Sequence, residues 1–225
     1  GCGRQRPTPQ VRATELALKG TSWSHFTAST PAGDVRIHLP VPGLYNVYNA
    51  LAALGACQAV GVGLDTVKES IEGFQAAFGR TERVGIDGRT AYLALVKNPV
   101  GFDQVLRTVL LEPGPQPMLI ILNDNLADGT DVSWIWDVSF EMLRDRVDSV
   151  VAAGTRAEDM AVRLKYAGVE SDRILLEKDL AKALDLAVGR VAPGGTLYVL
   201  PTYTAMLQVR AVMQKRGLAS PFWED

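Results

Sequence analysis

Apolar residues in the second half of the chain follow a rhythm that alternates between strand and helix. Met118–Leu122 is a fully apolar run, as expected for a strand covered on both faces of a parallel sheet. Further strands are predicted at 147–152, 174–176 and 196–200. Helices are predicted at 102–111, 140–147, 155–168, 179–191 and 204–216, with Thr155 and Glu158 as a capping box. This alternation predicts an open α/β sheet.

A hairpin is predicted to begin this sheet, because Asp87-Gly88 separates two strand-like segments, 82–86 and 90–96. Residues 1–40 are predicted to form loops and short strands, among them 34–39. They are followed by helices at 44–60 and 65–78, the second with Asp65 as its N-cap. Gly79-Arg80 marks a break in composition. We therefore expect two domains, 1–78 and 79–225, with ligands at the carboxyl ends of the strands.

Composition narrows the class of protein. The 225 residues are 47% hydrophobic and 21% charged, which is ordinary globular usage. A net charge of −2 offers no general attraction to nucleic acid or anionic membrane. No run of 18 apolar residues is present, so no transmembrane segment is predicted. Two cysteines, Cys2 and Cys57, form no disulfide framework and favour a reducing compartment.

Familiar catalytic motifs are missing from the sequence. It contains no Gly-x-x-x-x-Gly-Lys-Ser/Thr phosphate loop and no Gly-x-Gly-x-x-Gly after a strand. His25 and His38 are the only histidines, and His38 is predicted to be a solvated strand residue. Cys57 lies among alanines in a predicted helix, where a small core thiol is the simpler interpretation.

The loop after the apolar strand is the best candidate for chemistry. It places Asp124, Asp128, Asp131 and Asp137 close to two tryptophans. Such a set could bind a cation or orient a histidine supplied by another chain. Asx turns at Asp124 and Asp128 and a helix cap at Asp137 would explain these residues without a function. Acidic clustering alone does not separate these alternatives.

This loop, DNLADGTDVSWIWD at 124–137, resembles the C-terminal domain of the MurT family, the Mur-ligase-like subunits of lipid II isoglutaminyl synthase. Four further segments are similar to Mur ligases or to this family: 43–53, 79–82, 97–99 and 200–205. Residues 2–9 resemble the end of the family's zinc ribbon, which would make Cys2 a zinc ligand. One cysteine cannot hold zinc tetrahedrally, and the family's phosphate loop is absent.

The resemblance implies a Mur-ligase C-terminal Rossmann-like domain at 79–225, preceded by the last part of a Mur central ATPase domain at 1–78. It implies nucleotide contacts from Asn46, Asn49, Arg80, Lys97 and Asn98, with ATP and Mg²⁺ as cofactors. Helix capping by the asparagines, an ion pair of Arg80 and a solvated Lys97 remain open alternatives. No aspartate precedes Lys97 to hold a ribose.

The implied activity is ATP-dependent amidation of the D-glutamate of lipid II, with ammonia from glutamine. The implied partner is a GatD-like class I glutamine amidotransferase subunit that has a cysteine and a histidine. Asp137, or as second choice Asp131, is expected to supply the missing triad carboxylate in trans. Asp137 is expected at a helix start, where the dipole would favour its charge.

Two alternatives stay open at this stage. The chain could be a non-catalytic module that docks to a glutaminase and completes it, or a relative of folyl and cyanophycin ligases, which the 133–137 segment disfavours. Because the chain starts Gly-Cys-Gly without Met, we expect a fragment that is inactive alone. We expect it in the cytoplasm, peripheral to the inner membrane face only through lipid II.

Overall fold

The computed structural model describes residue 3, residues 7–74 and residues 81–219. The chain divides into two compact units, Gly1–Gln75 and Ala76–Asp225. The domain boundary predicted after residue 78 lies outside the described residues, as does the predicted helix beyond residue 74. Within the described part, no helix has both the length and the apolar character needed to cross a membrane.

The first unit packs two helices against a three-stranded antiparallel sheet of order β1-β2-β3. Phe26, Ile37 and Leu54 are fully buried at its centre. The elements are β1 (Arg12–Lys19), β2 (Trp23–Thr30), β3 (Gly33–Leu39), α1 (Leu44–Ala59) and α2 (Leu64–Glu72).

Two details of this unit differ from the prediction. β1 and β2 are eight-residue strands rather than short ones, and β1 is mostly exposed, so its sequence lacks the alternation that identifies a half-buried strand. The N-cap of α2 is Gly63, and Asp65 lies in the first helical turn. His38 is exposed on β3, as predicted.

The second unit contains a six-stranded sheet of order β4-β5-β9-β6-β7-β8. The hairpin pair β4 and β5 is antiparallel, and all other neighbours are parallel. Asp87 and Gly88 have φ of 48° and 71°, the left-handed conformation that a tight hairpin turn needs. The strands are β4 (Glu82–Ile86), β5 (Arg89–Leu93), β6 (Gln116–Ile121), β7 (Val147–Ala153), β8 (Ile174–Leu176) and β9 (Thr196–Pro201).

Helices cover both faces of this sheet, as the apolar run of β6 predicts. Met118 and Ile120 belong to one core, while Leu119 and Ile121 belong to the other, because successive side chains of a strand point to opposite faces. The first core is covered by α3 (Pro99–Val109) and α4 (Ala157–Tyr166), and the second by α5 (Leu180–Gly189) and α6 (Tyr203–Lys215). The predicted open α/β sheet with an initial hairpin is confirmed.

Strand order reverses between β6 and β9. From β6 the chain continues outward to β7 and β8, and then crosses back to place β9 on the other side of β6. Ligand crevices in open α/β sheets form at the carboxyl ends of strands where this reversal occurs. The acidic loop follows β6 and therefore starts at this point.

The predicted helix at 140–147 is wrong. Ser133–Asp137 and Phe140–Leu143 are short 3₁₀ segments, and β7 starts at Val147. Phe140 and Leu143 are both fully buried, and their three-residue spacing matches the period of a 3₁₀ turn. Only three residues separate this 3₁₀ segment from β7, so an α-helix cannot form between them.

Candidate functional site

Asn123, the second residue after β6, ties three loops together at the strand ends. It is 2% exposed. Its Oδ1 accepts a hydrogen bond from the Thr155 amide at 3.1 Å, and its Nδ2 donates to Thr204 Oγ1 at 2.9 Å and to Gln208 Oε1 at 3.0 Å. These partners follow β7 and β9, so one buried amide fixes the loops that surround the reversal of strand order.

Asp124 links the same loop to the start of α4. Its carboxylate accepts hydrogen bonds from Thr155 Oγ1 at 2.8 Å and from Arg156 Nη1 at 3.2 Å. The bond from Thr155, followed by the bond from Arg156, lowers the pKa of Asp124. The predicted capping box is wrong, because Thr155 binds Asp124 and Glu158 pairs with Lys178 at 2.6 Å.

Two more loop carboxylates are used for backbone capping. Asp128 accepts a hydrogen bond from the Thr204 amide at 2.8 Å, in the first turn of α6, and another from the Thr204 hydroxyl. Asp131 Oδ1 accepts from the Ser133 amide at 2.8 Å, and this bond lowers the pKa of Asp131. Asp131 therefore makes an Asx turn, whereas the Asx turns expected at Asp124 and Asp128 are wrong, because these carboxylates bind Thr155 and Thr204 instead.

Asp137 differs from the other three carboxylates. Its side chain is exposed and makes no hydrogen bond or ion pair with the residues that the structure describes. It is the last residue of the 3₁₀ segment Ser133–Asp137, so the expectation of a helix start is wrong and the dipole argument does not apply.

The segment Ser133–Asp137 is held in place by two of its own side chains, which pack against the core. Ile135 is 1% exposed, and Trp134 packs beside Phe102 with ring centroids 6.4 Å apart. Trp136, by contrast, is 52% exposed and meets Tyr166 of α4 edge to face at 5.8 Å. Of the two tryptophans, only Trp134 packs against the core. Trp136 and Tyr166 form an exposed aromatic pair next to Asp137.

Arg163 of α4 binds the backbone of the segment Ser133–Val138. It is 3% exposed. Its Nε donates to the Ile135 carbonyl at 3.2 Å, and its Nη2 donates to the Val138 carbonyl at 2.7 Å and to Glu141 Oε1 at 2.8 Å. The guanidinium also lies 5.4 Å from the ring centroid of Trp136. The two carbonyls bracket the dipeptide Trp136-Asp137.

The residues expected to contact a nucleotide are in two different units. Asn46 donates to the Pro42 carbonyl at 2.8 Å, and neither Asn46 nor Asn49 caps α1, whose N-cap is Gly43. Asn98 is the N-cap of α3, accepting from the Gly101 amide at 2.8 Å. Lys97 is exposed after β5. These nucleotide contacts stay predictions.

Arg80 and Cys2 lie outside the described residues, so the phosphate contact and the zinc ligand also stay predictions. Among residues 7–74 and 81–219, no group of three or more His, Cys, Asp or Glu side chains could hold a metal ion.

Arg163 and Tyr166 were missed from the sequence, although one signal was available for Arg163. Met160, Arg163, Leu164 and Ala167 recur at the spacing of one helix face, and all four are buried. A charge at an apolar position of that face indicates a buried polar contact. Tyr166 carries no comparable signal.

Comparison with known proteins assigns the acidic loop and the sheet around it to one protein family. Residues 95–206 match the family model described as MurT ligase C-terminal. The chain belongs to this MurT family through that domain. The match spans β6, β7, β8 and β9, and it includes every residue of the acidic loop.

Relatives of the MurT family agree with this assignment. The chain is 35% identical over 219 residues to the lipid II isoglutaminyl synthase (glutamine-hydrolyzing) subunit MurT of Streptococcus pneumoniae, covering 97% of this chain and 48% of that protein. It is 34% identical over 174 residues to the Staphylococcus aureus subunit, covering 77% of this chain and 39% of that protein. The chain thus spans half or less of the length of these relatives.

A solved structure supports the fold independently. MurF from Acinetobacter baumannii superposes with a TM-score of 0.73 at 24% identity, covering 96% of this chain and 46% of the other. At this identity the likeness concerns the fold alone. It confirms the predicted Mur-ligase architecture.

Proposed function

We propose that this chain is part of a glutamine-hydrolysing synthase that amidates the D-glutamate of lipid II, and that Asp137 completes the glutaminase site of a partner subunit. The observation that carries the proposal is the free carboxylate of Asp137. It is exposed and without a partner in the described part of the chain, on a segment anchored by buried residues. The names of the pneumococcal and staphylococcal relatives support the reaction.

The proposed role of Asp137 is that of the carboxylate in a cysteine–histidine–carboxylate triad. In a class I glutaminase, a partner cysteine thiolate attacks the side-chain amide of glutamine, and a histidine protonates the departing ammonia. A triad carboxylate accepts the hydrogen bond from the other imidazole nitrogen, which fixes the tautomer and stabilises the imidazolium. Nothing in this role requires the carboxylate to lie on the same chain as the histidine.

Asp137 fits that role better than Asp131 does. A carboxylate that must meet an imidazole of another subunit has to be accessible and uncommitted. Asp131 already accepts the Ser133 amide at 2.8 Å, whereas Asp137 has both oxygens free within the described residues. Asp131 could take the role only by giving up or sharing its capping bond.

ATP would supply the other half of the reaction. It would transfer its γ-phosphoryl group to the D-glutamate carboxylate and leave as ADP, and ammonia would then displace phosphate from the acyl phosphate to give the amide. The side chains of Asn49 and Lys97 are exposed and could contact a nucleotide, although Asn49 Nδ2 donates to Asn46 Oδ1 at 3.4 Å. Asn46 Nδ2 and the oxygen of Asn98 make hydrogen bonds to the backbone. Each of these side chains is a proposed nucleotide contact of its own unit, with Arg80, Mg²⁺ and the ribbon zinc as further expectations.

A second candidate function is a module that docks to the glutaminase and completes it without using ATP. The observation that favours it is that Asp137 and its anchors all lie within 133–166, in the second unit. The glutaminase subunit assembled with the protein that carries this chain, assayed first without ATP and then with it, distinguishes the two. Stimulated glutamine hydrolysis with no lipid II amidation when ATP is added supports the docking module alone.

Asp137→Asn and Asp131→Asn together test the proposal. In the assembled complex, we expect Asp137→Asn to lower the glutaminase turnover number about 10⁴-fold, because an asparagine cannot hold the required tautomer. Asp131→Asn should retain turnover within a few-fold. Partner binding, measured by calorimetry, should change in neither variant, since the exchange preserves side-chain size. Normal turnover in Asp137→Asn would end the proposal.

A further inference from the structure

We propose that Arg163 is a positioning residue for Asp137, because its guanidinium binds the carbonyl oxygens on both sides of the Trp136-Asp137 dipeptide. The inference rests on the proposed function of Asp137. The contacts are those to Ile135 at 3.2 Å and to Val138 at 2.7 Å.

Asp137 needs such support from its backbone. A triad carboxylate must be held close to one geometry before the imidazole arrives, since a small misplacement greatly reduces catalysis. Its side chain makes no hydrogen bond or ion pair with the described residues that could hold it. Its position is therefore determined by the backbone of the short 3₁₀ segment, and Arg163 is the side chain that grips that backbone before and after Asp137.

The nature of the residue argues for a specific role. Arg163 is 3% exposed, and its only ion-pair partner in the described residues, Glu141, has a side chain that is 57% exposed. Burying a charge beneath a loop is unfavourable unless its donors are used. Here they are used on backbone carbonyls and on the faces of Trp136 and Phe140, at 5.4 and 5.3 Å. A methionine could fill the space but could not hold the carbonyls.

Lysine cannot replace this arrangement. The guanidinium is a planar fork that reaches two acceptors at fixed angles, whereas an ammonium group is a single point on a flexible stem. Arg163→Lys therefore keeps the charge but cannot make both hydrogen bonds to the Ile135 and Val138 carbonyls. A matched control is Arg146→Lys, because Arg146 also binds two carbonyls of the same unit, those of Leu110 at 2.8 Å and Glu112 at 3.2 Å.

The experiment measures glutaminase kinetics and partner affinity in the assembled complex. We expect Arg163→Lys to lower kcat 10- to 100-fold, with the KM for glutamine and the partner Kd within twofold of wild type. Arg146→Lys should leave all three within twofold. Arg163→Gln, which has no charge to bury, is made in parallel so that the test does not depend on one variant folding. A kcat within twofold of wild type in the folded variants would overturn the proposal.

A double substitution separates positioning from a general structural defect. If Arg163 acts through Asp137, adding Arg163→Lys to Asp137→Asn should leave the residual rate unchanged within twofold, because nothing remains to be positioned. A further fall by the same factor as in wild type would overturn the role. Loss of activity in Asp137→Asn with normal kcat in Arg163→Lys rejects this inference alone, whereas normal turnover in Asp137→Asn rejects the proposed function.

Discussion

Gly154 lies where the loop after β7 comes closest to the end of β6. Its φ is +91°, and a Cβ built on it would lie 2.5 Å from the Leu122 carbonyl oxygen and 2.7 Å from Asn123 Oδ1. Glycine is required here for two reasons, the left-handed backbone and the lack of space. The close approach is what lets Asn123 reach the Thr155 amide.

Gly129 in the acidic loop offers a matched comparison. Its φ is +92°, but a Cβ there would meet nothing within 4 Å. We therefore expect Gly154→Ala to lower the free energy of unfolding by about 2–4 kcal/mol more than Gly129→Ala does, since only the first adds a steric clash to the backbone strain. Urea denaturation of both variants measures the difference. Equal losses would show that the loop relaxes without cost.

The residue types of the site could be predicted from the sequence, but their pairing could not. All four aspartates of the loop were candidates from their positions alone. Asp124 and Asp128 are engaged by Thr155 and Thr204, residues that are distant in sequence and lie on other loops. Which carboxylate stays free thus depends on the three-dimensional arrangement of the strand ends, which no local pattern contains.

At the scale of elements, the exposed pair Trp136 and Tyr166 marks a surface beside Asp137. They are 52% and 74% exposed, and Val162 on the same helix is 47% exposed. Large aromatic side chains at this exposure are typical of protein interfaces. On the proposed function, a carboxylate supplied in trans requires the partner subunit to cover its immediate surroundings, so we propose this surface as the docking site of the glutaminase subunit.

Tyr166→Ala tests this docking surface. We expect it to raise the Kd for the glutaminase subunit at least tenfold, because the variant removes exposed aromatic area next to Asp137. Leu207→Ala is the control, since Leu207 is 36% exposed but lies on α6, which covers the opposite face of the sheet from α4. Isothermal calorimetry measures both values. The same Kd in both variants would place the partner elsewhere.

Elements were predicted from the sequence where their periodicity was strong. The strands of the open sheet and all four helices that cover it were found, because buried strands are continuously apolar and amphipathic helices repeat every 3.6 residues. The full length of β1 was not predicted, because most of its residues are exposed and show no apolar alternation. The helix predicted at 140–147 was wrong, because the buried residues Phe140, Leu143 and Val147 belong to one 3₁₀ turn and the start of β7, a spacing that a helix would also give.

At the scale of the whole molecule, the chain has two units with separate cores. The features around Asp137 all belong to the second unit, and Asn46 and Asn49 belong to the first. In the proposed function, the second unit carries the glutaminase carboxylate and the first carries nucleotide contacts, and the chain spans 48% and 39% of the two relatives' lengths.

Asn46→Ala in the full-length synthase tests the nucleotide proposal for the first unit. We expect the Kd for ATP to rise about tenfold, equivalent to about 1.4 kcal/mol, if the asparagine lies near the adenine. Gln58→Ala is the control on the same helix, because it also removes a side-chain hydrogen bond, to Thr30 Oγ1 at 3.1 Å. Equal effects of the two variants on ATP affinity would reduce Asn46 to a structural role.

The central claim is that Asp137 supplies the triad carboxylate to the partner glutaminase. The most direct measurement is the distance from the Asp137 carboxylate to the partner's catalytic imidazole in a crystal structure of the assembled complex. We predict a hydrogen bond of about 2.6–3.2 Å to the imidazole nitrogen that faces away from the cysteine. An imidazole bound instead by Asp131 or by a carboxylate of the partner itself would contradict the account.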